Sequence, residues 1–205
     1  MVVQLKADHP TPAVYEHAAW FLMCETAALQ AVGEVEAGPQ GAFTSSGVPT
    51  ILFERHKFSQ FTDRRYDGIA MDGPALDLEH LIISAPRAGG YGPYSIQHDK
   101  LAFAEKLDRE AAMKSCSWGL FQVMGFNHAR VGFPNLQRFL NAMFRHVDDH
   151  LRAMVMYVRT DQDMVDAIRR HEWGTFARLY NGTDYRRNRY DEKMAAAYVK
   201  FMQDA

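Results

Sequence analysis

Apolar residues recur at three- and four-residue spacing along the first strong element of the chain. This spacing is typical of a helix with one buried face and predicts a long helix from about Pro12 to Glu36. The apolar positions on that face are Val14, Ala18, Phe21, Leu22, Leu29 and Val32. Gly38-Pro39-Gln40-Gly41 follows and ends the helix, because glycine and proline continue a helix poorly.

The pattern changes after the first helix. Thr50-Ile51-Leu52-Phe53-Glu54 predicts a short strand, preceded by a turn and followed by a loop-rich region with Asp72-Gly73-Pro74 and Gly89-Gly90-Tyr91-Gly92 as its breaks. From Tyr94 the pattern is helical almost to the end. The helical segments are predicted near residues 96–117, 134–158, 163–171, 173–180 and 190–203. The chain is therefore predicted to be mainly α (α+β), with a small β element inserted after the first helix.

Composition and charge narrow the class of protein. The 205 residues fit one domain over positions 1–205, without a separate wall-binding module. A net charge of −2 gives no strong attraction to nucleic acid. No apolar run approaches the ~20 residues that span a bilayer, and the first eight residues lack the features of a secretory signal. We expect a monomer, made in the cytoplasm without stable membrane insertion.

The cysteines and histidines give no support for a metal site. Cys24 and Cys116 lie among apolar neighbours and are interpreted as two buried, reduced thiols. His146 and His150 form an i,i+4 pair, but no His-Glu-x-x-His pattern surrounds them, so the pair is expected on a solvated helix face. We expect neither metal nor cofactor.

Glu36 is the first candidate for chemistry. It follows Leu29 and Val32 at helical spacing, so its carboxylate points where a core residue should lie. The negative end of the helix dipole and partial burial both raise the pKa of such a glutamate, as a glycosidase needs in its general acid. A boundary glutamate that reaches solvent is the alternative. Glu34 is predicted to face water, and Glu25 to be buried or paired with an arginine.

Glu54 is the second candidate. It shares a strand face with Leu52 and is followed by Arg55 and His56. The alternative is an ordinary acid at a strand end, paired with one of those cations. Its interest lies in partnership with Glu36, because glycoside hydrolysis commonly uses two carboxylates that flank one bond.

Three separate motifs, in order, resemble the lysozyme-like superfamily, which includes goose-type lysozymes and soluble lytic transglycosylases. These motifs are Val35-Glu36-Ala37-Gly38, the segment from Ser117 to Met124, and Leu179-Tyr180-Asn181-Gly182. More narrowly, residues 51–56, 112–122 and 180–182 resemble the N-acetylmuramidase family of bacteriophage and prophage endolysins. The resemblance spans about residues 16–202. One departure is Ala37, which stands where the family usually has serine.

The resemblance implies a lysozyme-like fold, with a helical lobe and a small β element flanking a glycan-binding groove. It places Glu36 at the family's acid position and Glu54 at its second carboxylate. Gly119 and Gln122 are candidate substrate-binding residues, because a flexible turn and an amide suit N-acetyl groups and hydroxyls. Tyr180 and Asn181 offer an aromatic face and a second amide, although a helix-capping turn explains them equally well. Tyr91 is expected to be presented toward the groove by its glycine-rich loop.

The function implied is that of an endolysin-type N-acetylmuramidase acting on bacterial peptidoglycan in the periplasm or cell wall. Two alternatives stay open. A lytic transglycosylase would use the 6-hydroxyl of muramic acid in place of water and form 1,6-anhydro products. A catalytically idle peptidoglycan-binding module would keep the fold without the chemistry, but the intact Glu36 argues against it.

Overall fold

The computed structural model of the protein describes residues 7–72 and 77–203. The predicted break at Asp72-Gly73-Pro74 therefore lies partly outside the described residues. The α-helices, in chain order, are α1 Pro12–Leu22, α2 Thr26–Glu36, α3 Arg55–Phe61, α4 Leu78–Leu81, α5 Gln97–Glu105, α6 Arg109–Lys114, α7 Leu136–Arg145, α8 Val147–Arg159, α9 Gln162–Arg169, α10 Trp173–Asn181 and α11 Tyr190–Gln203. The strands are β1 Ile51–Phe53, β2 Cys116–Trp118 and β3 Val123–Met124. The mainly α fold with a small β element is confirmed.

The prediction of one helix from Pro12 to Glu36 is wrong, because the chain turns at Met23. Met23 has a left-handed backbone with φ of 53°, and the amide of Cys24 donates to the carbonyl of Ala19 at 3.0 Å. This closes α1 in the manner of a helix C-cap. Leu22 and Leu29 are both buried, so the apolar spacing continues across the junction and conceals the break.

The prediction for Glu25 is also wrong, for the same reason. The turn at Met23 removes Glu25 from the helical phase that would have aligned it with Glu36. Glu25 is exposed at the start of α2, where its carboxylate accepts a hydrogen bond of 2.5 Å from the hydroxyl of Tyr198 and lies 3.6 Å from His171. It therefore joins the N-terminal end of α2 to α11.

The three strands form an antiparallel sheet in the order β1-β2-β3. Ile51 pairs with Trp118, Phe53 with Cys116, and Ser117 with Met124. The predicted helix over 96–117 thus ends too late, and it is also divided at Asp108, whose side chain accepts from the amide of Ala111 and starts α6. The predicted helix over 134–158 is divided in the same way at His146, which caps α8.

The turn between β2 and β3 is fixed by His150, which lies on α8. Its Nδ1 accepts a hydrogen bond of 3.0 Å from the amide of Leu120, so its Nε2 carries the proton and donates to the carbonyl of Met143 at 2.8 Å. His150 is only 1% exposed, and the prediction of a solvated histidine pair is therefore wrong for this residue. A buried imidazole is stable here because both ring nitrogens have partners.

The two thiols are free, as the sequence predicted. Cys116 is buried and Cys24 is half-buried. Burial raises the pKa of Cys24 to about 11 and that of Cys116 well above its ordinary value. Both thiols therefore stay protonated and unreactive at neutral pH. Among the described helices, none is long and apolar enough to cross a membrane.

We expect Gly119→Ala to destabilise the fold by about 2–4 kcal/mol, because it adds backbone strain and a steric clash. Gly119 has φ of +71°, and an added Cβ would lie 2.5 Å from Nδ1 of His150. Gly47→Ala is the matched control, since Gly47 has φ of +76° but nothing within 4 Å of an added Cβ. It should cost only about 1–2 kcal/mol. Denaturant unfolding measures both, and equal losses would show that the contact with His150 is not tight.

Candidate active site

A cleft of about 440 Å³ opens between the end of α2, the β2–β3 hairpin and the junction of α10 with α11. It brings together four predicted site residues from distant parts of the chain: Glu36, Gln122, Tyr180 and Asn181. The remaining lining residues are Gly38, Phe121, Val123, Met124, Asn127, Tyr157 and Tyr190. The cleft therefore has apolar and aromatic walls around a few convergent polar groups, as small-molecule and sugar sites commonly do.

Glu36 is the last residue of α2 and is half-buried in this cleft. Its Oε1 accepts a hydrogen bond of 2.7 Å from Nδ2 of Asn181. Burial raises the pKa of Glu36 to about 7, although the hydrogen bond from Asn181 acts in the opposite direction. Burial dominates because a carboxylate loses more from leaving water than it gains from one neutral donor. Near neutral pH the group is therefore divided between its protonated and ionised forms.

The end of α2 is held against the hairpin by a backbone hydrogen bond. The amide of Gly38 donates to the carbonyl of Leu120 at 3.0 Å, while the amide of Ala37 closes the last turn of α2 by donating to the carbonyl of Gly33 at 3.0 Å. The Leu120 amide in turn donates to His150. Glu36 therefore sits on a helix end whose distance from the cleft wall is set by main-chain contacts.

Asn181 reaches Glu36 because it is the last residue of α10. The preceding Tyr180 packs between two aromatic rings, stacked on Phe176 at 5.5 Å and edge-on to Tyr157 at 5.8 Å between centroids. Its hydroxyl lies 3.5 Å from the carbonyl of Phe121. Burial and the nearby Glu36 raise the pKa of Tyr180 well above its ordinary value. Tyr180 thus fixes the helix end from which the Asn181 amide projects.

Gln122 lines the cleft, but its amide is engaged within the hairpin. Its Oε1 accepts from the hydroxyl of Ser117 at 2.7 Å, and its Nε2 donates to the carbonyl of Gly119 at 2.7 Å. The backbone of Gln122 is left-handed, with φ of 50°. Gly119 lies behind the turn, against His150. Gln122 therefore forms part of the cleft wall and Gly119 supports it from behind, and direct contact of either with sugar stays a prediction.

Glu54 and Tyr91 lie together, outside the residues that line the cleft. Glu54 follows β1 and starts α3, and its Oε2 lies 3.1 Å from Nδ1 of His56. Burial, and then the charge of the nearby Glu54, raise the pKa of the Tyr91 hydroxyl. Of the two cations that the sequence offered as partners, Arg55 turns away, to the side chain and carbonyl of Glu79. The partner of Glu54 is therefore His56.

Three aromatic and amide residues of the cleft escaped the sequence analysis: Asn127, Tyr157 and Tyr190. Tyr190 is the first residue of α11 and lies close enough to Glu36 for that carboxylate to raise the pKa of its hydroxyl, after the larger effect of burial. Its position shortly after the Tyr180-Asn181-Gly182 motif could have indicated that it lies near the site. Tyr157 lies among the buried residues of α8 and carries no signal that distinguishes it from core.

Within residues 7–72 and 77–203, no group of three or more His, Cys, Asp or Glu side chains is arranged to hold a metal ion. The polar groups that the cleft offers are a carboxyl, amides and phenols. This set can donate a proton and bind hydroxyl and N-acetyl groups.

Two comparisons with known proteins found matches to the chain as a whole. The family model for N-acetylmuramidase matches residues 25–202. The crystal structure of the Burkholderia AP3 phage endolysin is similar, with a TM-score of 0.84 and 33% sequence identity over 99% of this chain and 74% of that chain. No curated protein matches the chain.

The raised pKa of Glu36 predicts how stability depends on pH. Its folded pKa of about 7 exceeds its ordinary value of 4.5, so its stabilising contribution is complete below about pH 4.5 and is lost as the pH rises through 7. The loss should approach about 3 kcal/mol. Glu36→Gln cannot ionise, so its free energy of unfolding relative to the unsubstituted protein should rise by that amount between pH 4 and pH 8.

Denaturant unfolding at several pH values measures this difference. Glu34→Gln is the matched control, because Glu34 is exposed and pairs with Lys200 at 2.9 Å. Its effect should stay within about 1 kcal/mol over the same range. A difference for Glu36→Gln that does not change with pH would show that Glu36 is not buried enough to shift.

Proposed function

Because the chain belongs to the N-acetylmuramidase family, whose members are glycoside hydrolases of bacterial peptidoglycan, we propose that it hydrolyses the β-1,4 bond between N-acetylmuramic acid and N-acetylglucosamine. The observation that carries this proposal is Glu36, a carboxyl with a pKa of about 7 in a cleft with amide and aromatic walls. A carboxyl that is still protonated near neutral pH is suited to protonate the leaving glycosidic oxygen.

Asn181 orients the acid for this step. Its amide donates to Oε1 of Glu36, so the transferable proton is placed on Oε2. Since the donor is neutral, it lowers the pKa less than an arginine or lysine would. Glu36 can thus give up its proton to the departing sugar and remain hydrogen-bonded as a carboxylate afterwards.

Glu54 is proposed as the second carboxylate. It would orient or deprotonate the attacking water, or stabilise the developing oxocarbenium charge. We expect the two carboxyl groups to lie nearer the ~6.5–9.5 Å of inverting enzymes than the ~5 Å of retaining ones. The strand that precedes Glu54 belongs to the same sheet as the hairpin of the cleft wall, and the end of α2, which carries Glu36, is hydrogen-bonded to that hairpin.

The cleft residues are proposed to bind the glycan strand. Tyr180, Asn181 and Gln122 were the sequence candidates, and Asn127 and Tyr190 join them by position. The phenol rings suit packing against pyranose faces, and the Asn127 amide suits N-acetyl and hydroxyl groups. The proposed reaction needs no cofactor, and we propose that the enzyme acts as a monomer. The enzyme would be made in the cytoplasm and reach the wall afterwards.

A lytic transglycosylase is the second candidate. This reaction needs one carboxyl group only, since the muramic acid itself delivers the attacking 6-hydroxyl. The observation that favours it is that Glu36 lines the cleft whereas Glu54 does not. The presence of an imidazole and a phenol beside Glu54 favours hydrolysis, because a carboxylate that only ends a strand needs neither.

Glu36→Gln should abolish lysis of purified peptidoglycan while leaving the fold intact. The substitution keeps the shape and removes the transferable proton, so the rate should fall by ~10²–10⁴-fold. Turbidity loss and circular dichroism measure activity and fold. Glu34→Gln, two residues earlier on the exposed face, should retain near-normal activity. Near-normal lysis by folded Glu36→Gln would overturn the assignment.

The released muropeptides should end in reducing N-acetylmuramic acid, and Glu54→Gln should be severely impaired. Mass spectrometry separates these products from 1,6-anhydro forms by the mass of one water. A hydrolase must place that water, for which a second carboxylate is the usual means. Anhydro products together with an active Glu54→Gln would establish the transglycosylase instead.

A further inference from the structure

We propose that His56 and Tyr91 are positioning residues for Glu54, which hold its carboxylate in the orientation that the reaction needs. This inference rests on the proposed function, in which Glu54 is the second carboxylate. His56 follows Glu54 by two residues, on α3, whereas Tyr91 comes from the glycine-rich loop that precedes α5. The loop and the helix thus converge on one carboxyl group.

The contact between Glu54 and His56 is buried. Oε2 of Glu54 and Nδ1 of His56 are 3.1 Å apart, and the side chains are 16% and 26% exposed. Neither atom has a fully aligned hydrogen bond within the described residues, although both are shielded from solvent. Catalytic hydrogen bonds are commonly loose before substrate binds and tighten in the complex. The pair is therefore close enough to form such a bond with a small rotation of either side chain.

Tyr91 approaches the same carboxylate from the loop. Burial raises the pKa of its hydroxyl, and the charge of Glu54 and a contact with its carboxylate act in the same direction. The phenol therefore stays protonated near neutral pH and can donate to the carboxylate. Direct contact of Tyr91 with substrate stays a prediction.

The loop that carries Tyr91 is held by three buried side chains. Lys100 donates to the carbonyls of Gly90 and Tyr91 at 2.7 and 2.9 Å, and Gln97 donates to the carbonyl of Tyr91 at 2.6 Å. Arg55 donates to the carbonyl of Arg87 at 3.2 Å. Lys100 and Gln97 are at most 1% exposed. Buried cations are costly, so their use here indicates a loop whose position is tightly specified.

Further titratable groups lie around Glu54 and the loop that carries Tyr91. From β2, Cys116 interacts electrostatically with Glu54, and burial keeps that thiol neutral. Burial, and then the charge of Arg55, lower the pKa of Lys100 to about 8. Glu54 thus differs from Glu36, which meets a single neutral donor.

The test is the steady-state kinetics of peptidoglycan hydrolysis. A carboxylate that has lost a positioning partner spends less time in its productive orientation, which slows the chemical step without weakening substrate binding. Tyr91→Phe and His56→Leu should each lower kcat about tenfold, with KM unchanged. The alkaline limb of the pH profile, which reports Glu36, should not move. His56→Asn keeps an amide donor near the Nδ1 position and should restore kcat.

Tyr66→Phe is the matched control for a lost hydroxyl. Tyr66 donates to the carbonyl of Leu107 at 3.1 Å and stacks on Phe58, away from Glu54. It should change stability but not kcat. Unchanged kcat in Tyr91→Phe and His56→Leu, with Glu54→Gln still inactive, would overturn this inference alone. A fully active Glu54→Gln would overturn the role proposed for Glu54 as well, which keeps the two failures distinguishable.

Discussion

The backbone of Leu120 is the constraint on which the site depends. Its carbonyl accepts from Gly38 at the end of α2, and its amide donates to His150 on α8. One residue therefore fixes the β hairpin against both the helix that carries Glu36 and the helix that carries Tyr157. The arrangement requires a residue without a side chain at position 119, since any Cβ there would meet the imidazole of His150. A general acid needs a fixed distance from the bond that it protonates, and main-chain contacts supply that rigidity.

The two acidic residues are set in opposite surroundings. Glu36 is half-buried among aromatic side chains and meets one neutral donor, so its pKa rises to about 7. Glu54 meets an imidazole and a phenol, with Arg55 and Lys100 behind the loop that carries the phenol. Pairs of carboxyls whose environments differ in this way are the usual basis for separate acid and base roles at one pH. The division of labour proposed here follows from that difference.

Sequence reasoning predicted the class of fold and the position of Glu36 because both depend on local spacing. Leu29, Val32 and Glu36 share one face of α2 whether or not the helix continues before Thr26. The break at Met23 could not be predicted, since a single left-handed residue leaves the apolar period intact. The strands at 116–124 were hidden because two- and three-residue strands are too short to show alternation. The roles of His150 and Tyr157 arise from contacts with segments that are distant in the sequence, and local spacing does not predict such contacts.

The departure at Ala37 also has a physical consequence. Ala37 stands where the resembling family usually has serine, which would offer a hydroxyl directly beside the acid. In this chain the amides of Ala37 and Gly38 are both engaged by carbonyls, and the side chain that donates to Glu36 is Asn181. Each further donor to a carboxylate lowers its pKa. With alanine at this position, two opposing effects set the pKa of Glu36: burial raises it, and the amide of Asn181 lowers it. The helix that carries Asn181, α10, therefore influences the protonation of the acid as directly as α2, which carries Glu36 itself.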